Sequence, residues 1–449
     1  MNLPLRSARA ALLTAVLAAA GTAMAAPWAI VTDPSRARIA MLDFATTPPT
    51  VHGPFLEGQL GNSNGLALDV AVRPDGRFAL VSNFGDPAIH RVSLANPAAP
   101  VHTGVLSNSF FAEDVAIAPN GKFAIVTDGG FSSNYAYIDL LAFTTSVTHT
   151  ITSGYAQACA IAPDNQTVLF AEYFPGHLIA GRLAPNGSLQ TERAMGVGSN
   201  VYPVNVTIAP DGQTVLLPSV GTNKVPVFRI YGPGQVVTGQ TPFVTGFLTR
   251  GAQSIACESL GSRAYVLNNG FTNDAPLEAP YSALSLIRIL GPGRVVLGQD
   301  RFATLYSKVT SQLFGVDTLA ISPDGKWAIA GNPSTGGPTN KLALVNLFTY
   351  VPTSLDLGMD APVGVAFVPV PRGPLGADFD GDGLADPAVY DARTGTWLVK
   401  LSTGQYALFT ASSLLGGYGW IPAAADYDGD GLADPAAAQE GTGNWSILL

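Results

Sequence analysis

A two-strand unit recurs along this 449-residue chain, and it constrains the fold more than any other feature. The clearest copy starts at Asp114, D-V-A-I-A-P-N-G-K-F-A-I-V-T-D, in which an alternating apolar strand meets a Pro-Asn-Gly turn and a second alternating strand. Side chains alternate between faces along a strand, so period-two patterning on both sides of a turn reads as a hairpin. Aligned on the turn residue, copies fall at Pro74, Pro119, Pro163, Pro210, Ser259 (a degenerate copy), Pro323 and Pro369. Successive spacings are 45, 44, 47, 49, 64 and 46 residues, and the longest interval holds an Asn-, Ala- and Pro-rich loop around Asn268–Tyr281.

Each unit continues into a third strand, as in A-Y-I-D-L ending at Leu140, V-P-V-F-R-I ending at Ile230 and L-A-L-V-N-L ending at Leu347. A more variable fourth segment follows. Four short strands at this period predict the blades of an all-β propeller. The ends set the blade number. Trp28–Asp33 reads as a second strand with no first strand before it, and Gly364–Pro369 reads as a first strand with no second strand after it. Joined, they make one composite blade beside six internal ones, which predicts a seven-bladed ring closed by its N- and C-terminal strands, with its sheet edges protected.

The second strands A-I-V-T-D, A-L-V-S-N and A-Y-V-L-N, with their P-D-G or P-N-G turns, resemble the YVTN-type repeats of the lactonase-like propellers, over roughly Trp28–Pro369. That resemblance implies fold more strongly than activity, because the group includes lactonases as well as surface-layer proteins.

Beyond Pro369 the period changes. P-V-P-R-G-P-L-G leads into A-D-F-D-G-D-G-L-A-D-P at Ala377, and A-D-Y-D-G-D-G-L-A-D-P returns 48 residues later at Ala425. Trp397 and Trp445 match at the same offset. Carboxylates at positions 1, 3, 5 and 9, with a backbone carbonyl at 7 and glycines for the tight turn, form the hard-oxygen set that Ca²⁺ takes. The expected ligands are Asp378, Asp380, Asp382, Leu384 (carbonyl) and Asp386, then Asp426, Asp428, Asp430, Leu432 (carbonyl) and Asp434. An EF-hand is ruled out because its twelfth position, normally Glu, is Val389 or Ala437, and no amphipathic helix follows. The pattern looks like the FG-GAP or VCBS type of repeat. The division expected is a signal segment 1–25, a propeller 27–370, a linker 371–376 and two calcium-loop repeats 377–449.

The charge distribution agrees with that division. Net charge is −9, and from Pro374 onward ten acids face two bases. With no basic patch, nucleic acid is an unsuitable partner. Charged residues are only 12% of the chain, beside 49 Gly and 34 Pro, a balance suited to a β-rich exported protein. Arg6 and Arg9, an apolar run over Ala10–Ala20 and the Ala23-Met24-Ala25 triplet predict a cleaved secretory signal, with no spanning segment after it. The destination would be the periplasm, the cell surface or the medium. Cys159 and Cys257 fall two units apart on first strands and are expected as two buried free thiols.

No catalytic centre is legible. The five histidines, His52, His90, His102, His149 and His177, show no zinc spacing, and no G-x-S-x-G elbow occurs. His90 and His177 are expected on the outer surface near third strands. The polar candidates stand five and six residues before the turn residue, where first strands enter the central channel: Asp69, Glu113, Asp114, Gln157, Asn205, Gln253, Ser254, Asp317 and Thr318. Of these, Asp69, Glu113, Asp114, Asn205 and Asp317 are the candidate ligand contacts. They could hold a cation or polarise a lactone carbonyl, or else bond the backbones of neighbouring blades. The first reading is therefore a non-enzymatic exported scaffold that binds a protein or carbohydrate on its propeller face. The second is a lactonase-like hydrolase working at the channel mouth, and a quinone-dependent dehydrogenase lacks recognisable cofactor ligands.

Overall fold

A computed structural model of the chain describes residues 27–61, 69–107, 110–129, 132–143, 146–151, 154, 156–222, 224–245, 251–258, 262–268, 281–307, 318–331 and 341–369. It also describes residues 379–380, 386–391, 395–401, 407–411, 415, 420–425, 427, 432–439 and 444–448. The fold is all-β. The signal segment lies outside the described residues, as does most of the loop after Asn268. Among the described residues, no helix is long and apolar enough to cross a membrane. The chain separates into two compact units, one of which is Ala26–Val370 while the other contains Pro371–Leu449.

The larger unit contains seven antiparallel four-stranded sheets among the described residues, plus a short pair made by Tyr202–Pro203 and Ser219–Val220. Six of the sheets run in chain order, as in Ala158–Ile161, Thr167–Glu172, His177–Leu183 and Leu189–Gly196. The seventh joins the two ends of the unit. Trp28–Asp33 pairs Arg38–Asp43 on one side and Val365–Val368 on the other, with Trp28 opposite Val368 and Val31 opposite Val365. The expected composite sheet is present in that register.

First-strand alternation decides what faces where. Four residues before each turn residue stand Val70, Val115, Cys159, Val206, Ile255, Leu319 and Val365, all buried in the core. One residue later stand Ala71, Ala116, Ala160, Thr207, Ala256, Ala320 and Ala366, all half-buried and all lining one cavity of about 400 Å³. Small side chains are needed there because strands from all seven sheets converge on that space. Apolar side chains of adjacent sheets interdigitate between them; Leu169, Leu178 and Met195 of one sheet pack with Val215, Phe228 and Val236 of the next.

The repeated G-P-G-x-V-V segments form hairpins from third to fourth strand. Gly234 and Gly293 take φ of +69° and +67° there, where other residues would be strained. Cys159 and Cys257 are both free thiols. Cys159 is buried as expected. Cys257 corrects the expectation, being only partly buried at the rim of its sheet core.

The second unit contains two three-stranded sheets, Ala388–Asp391, Thr396–Leu401 and Ala407–Ala411, then Trp420–Pro422, Ala436–Gln439 and Trp445–Ile447. The strand after the aspartate loop is thus present in both copies, although P-A-A-A carries a weak β signal. Trp397 is buried against Phe379 and Tyr390, whereas Trp445 meets Tyr427 and stays 48% exposed.

Candidate functional site

The polar residues at the channel mouth occur where first strands begin and second strands end. Asp69 is fully buried, and its Oδ2 accepts the Val115 N–H of the next sheet at 3.2 Å. Asp114 repeats the arrangement one unit on, accepting the Cys159 N–H at 2.5 Å. Each carboxylate thus satisfies a backbone donor of the following first strand, which is the structural alternative raised for these positions. Asn205 accepts the N–H of its own neighbour Val206 at 2.6 Å. Asp114 and Asn205 line the central cavity; Asp317 lies outside the described residues.

Because Asp114 joins two sheets, Asp114→Ala leaves the buried Cys159 N–H without its acceptor. An unfolding free energy lower by about 1–3 kcal/mol is expected in urea titrations. An unchanged midpoint would show that another group takes over the bond.

Glu113 behaves differently. It is buried beside Asp69 and Asp128, and its Oε1 accepts Gln157 Nε2 at 3.3 Å. Desolvation raises its pKa from 4.5 to about 8, opposed by the Gln157 bond and reinforced by the charges of Asp128 and Asp69. A buried carboxyl that holds its proton at neutral pH can act as a hydrogen-bond donor or acid. Among the described residues, Gln157 Oε1 and the hydroxyls of Ser254 and Thr318 are buried without a hydrogen-bond partner. Gln253 is buried as well.

A second ring of polar residues escaped the sequence reading. The last residue of a second strand, or the one just after it, is Asp33, Asn83, Asp128, Glu172 or Asn268 in five of the sheets, all 5% exposed or less. They anchor the turn into the third strand: Asn83 accepts Gly85 N–H, Asp128 accepts Ser132 Oγ, and Glu172 meets His177 Nδ1 at 2.5 Å. Gly154 packs against the Glu172 carboxylate, with no room there for a Cβ. The signal was visible as the terminal D or N of each A-I-V-T-D or A-L-V-S-N run. A polar residue ending a buried strand has to satisfy a turn. Aromatic rings stand near two of these turns, with Phe84 near Phe111, Tyr173 stacked on Tyr202 at 5.2 Å, and Phe174 62% exposed.

The histidines also depart from expectation. His177 is tied to Glu172, and its side chain is only 29% exposed. His90 is buried rather than on the outer surface, and its Nδ1 lies 3.3 Å from His102 Nε2. Desolvation and the neighbouring His102 lower its pKa to about 4, against the opposing pull of Asp86.

The aspartate loops are described in part; Asp378, Asp382, Leu384, Asp426, Asp428 and Asp430 lie outside the described residues. The ninth-position carboxylates are alike in the two copies. Asp386 and Asp434 are 3% and 6% exposed, and each Oδ2 accepts the N–H of the second loop residue, Phe379 or Tyr427, at 2.7 Å. In the second copy the ends of the loop are bridged by Asp434 N–H donating to the Ala425 carbonyl at 2.8 Å. The residues that flank this acidic loop are thereby held together. Asp380 and Leu432 are both partly buried.

Residues 378–435 match the sequence model of the FG-GAP-like repeat. No curated protein sequence matches the chain. Solved structures show the fold of the larger unit. A functionally unknown protein from Desulfotomaculum acetoxidans superposes with a TM-score of 0.62 at 16% identity, covering 76% of this chain and 98% of that one. A candidate 6-phosphogluconolactonase from Bacteroides uniformis gives 0.57 at 15% identity, covering 76% and 99%. One from Bacteroides fragilis gives 0.56 at 15% identity, covering 77% and 99%. At such identities the likeness concerns the fold, which is of the β-propeller kind.

Proposed function

We propose that this is an exported, non-enzymatic binding or scaffold protein: a closed seven-bladed propeller followed by calcium-stabilised FG-GAP-like repeats. Closure is supported by the composite sheet and by the single cavity that first strands of all seven sheets line. The observation that carries the binding role is the engagement of Asp69 and Asp114 with the backbone of the next sheet, which spends the inward carboxylates on joining blades. The partner is a protein or carbohydrate met on the face that bears Phe111, Tyr173 and Phe174, where flat rings and buried polar groups suit sugar stacking. A glycan array probed with the wild type and with Phe174→Ala tests this. Equal signals for both proteins on every glycan would count against it.

The aspartate loops fit Ca²⁺ on the chemistry of their donors, and the backbone capture by Asp386 and Asp434 supports a preformed chelate. Asp378, Asp380, Asp382, the Leu384 carbonyl and Asp386 would hold one ion, and their counterparts through Asp434 a second. Calorimetry on the full chain is expected to find two Ca²⁺ sites, with one remaining in Asp386→Ala and one in Asp434→Ala. Chelation should lower the melting temperature of the second unit by several degrees, since an ion that binds only the folded state stabilises it. Unchanged melting in chelator would remove calcium from the proposal.

Glu113 favours a second reading, a lactonase-like hydrolase in which its proton serves the leaving oxygen at the channel mouth. The fold it shares with candidate 6-phosphogluconolactonases is consistent with this reading. Lactone opening that disappears in Glu113→Gln and Asn205→Ala would promote it over the first.

A further inference from the structure

His90 and His102 stand on the third and fourth strands of one sheet, Ala88–Ser93 and Val101–Ser107. Their meeting depends on a bulge. His90 is opposite Val105 and Val92 is opposite His102, with the register shifting between Arg91 and Val92. His102 lies three residues from Val105, so in a regular strand the two would point to opposite faces. The extra residue restores His102 to the face of His90. Bulges re-aim side chains in this way, often beside sites.

The two imidazoles meet in a hydrogen bond, and the same spacing suits two ligands on one ion. Nitrogens bound at about 2.05 Å to a tetrahedral centre lie about 3.3 Å apart. His90 Nδ1 and His102 Nε2 are separated by 3.3 Å, with the rings tilted 44° to each other. The other edge of His90 faces a carboxylate, Asp86 Oδ2, at 3.8 Å from a buried Nε2 that has no hydrogen-bond partner among the described residues. A carboxylate behind a ligating imidazole orients the ring and strengthens it as a donor. His102 and Asp86 are partly exposed, which leaves an ion a way in.

We propose that His90 and His102 bind a late first-row divalent cation, Cu²⁺ or Zn²⁺, with Asp86 as the positioning carboxylate. Among the described residues, no three of His, Cys, Asp and Glu converge on one point. Water therefore completes the coordination, which leaves open positions for an external ligand. Imidazole nitrogens select these ions over Ca²⁺, whereas the aspartate loops of the second unit do the reverse. The two kinds of site are thus chemically separable, and this inference stands apart from the calcium reading.

The test uses tag-free full-length protein with Ca²⁺ in excess to fill the oxygen sites, titrated with Cu²⁺ at pH 7.5. One bound Cu²⁺ per chain is expected, with an electron paramagnetic resonance spectrum showing coupling to two imidazole nitrogens. His102→Gln should weaken binding at least tenfold, and Asp86→Asn roughly tenfold. An oxygen-only spectrum, no binding, or unchanged affinity in a folded His102→Gln variant would overturn the proposal. The wild-type spectrum alone decides the matter if that variant does not fold.

Discussion

Asp33→Ala is expected to lower the unfolding free energy of the larger unit by about 3–5 kcal/mol, the usual cost of stripping one partner from a buried ion pair. Asp33 is fully buried and accepts Arg38 Nε at 2.9 Å, Ser35 N–H at 3.0 Å and Asp360 N–H at 3.0 Å. Removing it leaves two backbone donors without this acceptor. It also leaves a guanidinium that is 6% exposed with, among the described residues, the carboxylates of Glu57 and Asp360, each at 3.3 Å and each more than half exposed. The effect falls where the first strands of the unit meet its last, because Asp360 lies just ahead of the Val365–Val368 strand that completes the composite sheet. Urea titration of Asp33→Ala measures the loss. The double variant Asp33→Ala, Arg38→Met should recover a good part of it, since no buried charge then remains unpaired. A loss below about 1 kcal/mol in the single variant, the range of an exposed pair, would refute the argument.

The second large effect is a dependence on pH traced to Glu113. Its pKa is about 8 in the folded chain, against an ordinary value of 4.5. Below 4.5 both folded and unfolded states hold the proton and the group is neutral in the balance. Between 4.5 and 8 the folded chain keeps a proton that the unfolded chain has released, so stability falls as pH rises, by up to about 1.4 kcal/mol per unit. Above 8 both states are ionised and the full cost of a buried carboxylate is present. Glu113→Gln imitates the protonated form and can donate to Gln157 Oε1, which lacks a partner among the described residues. The variant should match the wild type near pH 4.5 and exceed it near pH 8.5 by an amount on the order of 4 kcal/mol. Equal pH profiles for the two proteins would mean that Glu113 is ionised and solvated at neutral pH. That outcome would also weaken the hydrolase reading, which needs its proton.

Much of the architecture could be read from single residues. Ala71, Ala116, Ala160, Ala256, Ala320 and Ala366 recur at one place in the unit, and they line the cavity on which the sheets converge. The unmatched Trp28–Asp33 and Gly364–Pro369 segments announced a shared sheet, and the structure pairs them. Of the expected channel-mouth residues, Asp114 and Asn205 line the cavity, whereas the use of these side chains could not be read from the sequence. Whether Asp114 faces a ligand or a neighbour's N–H turns on where Cys159, 45 residues away, places its backbone.

The same limit applies more sharply to the histidines. His90 and His102 carry no spacing that signals a site, because a single bulged residue decides whether they share a face. The amino-acid sequence alone determined the strand periodicity, the turn chemistry, the composite sheet and the position of the acidic loops. All of these follow from local rules: alternation, turn residues, and like charges crowded within one loop. Tertiary structure alone decided which carboxylates join sheets, why Glu113 keeps its proton and where two imidazoles meet. Those outcomes rest on desolvation and on contacts between strands far apart in the chain, and no local pattern of residues encodes either.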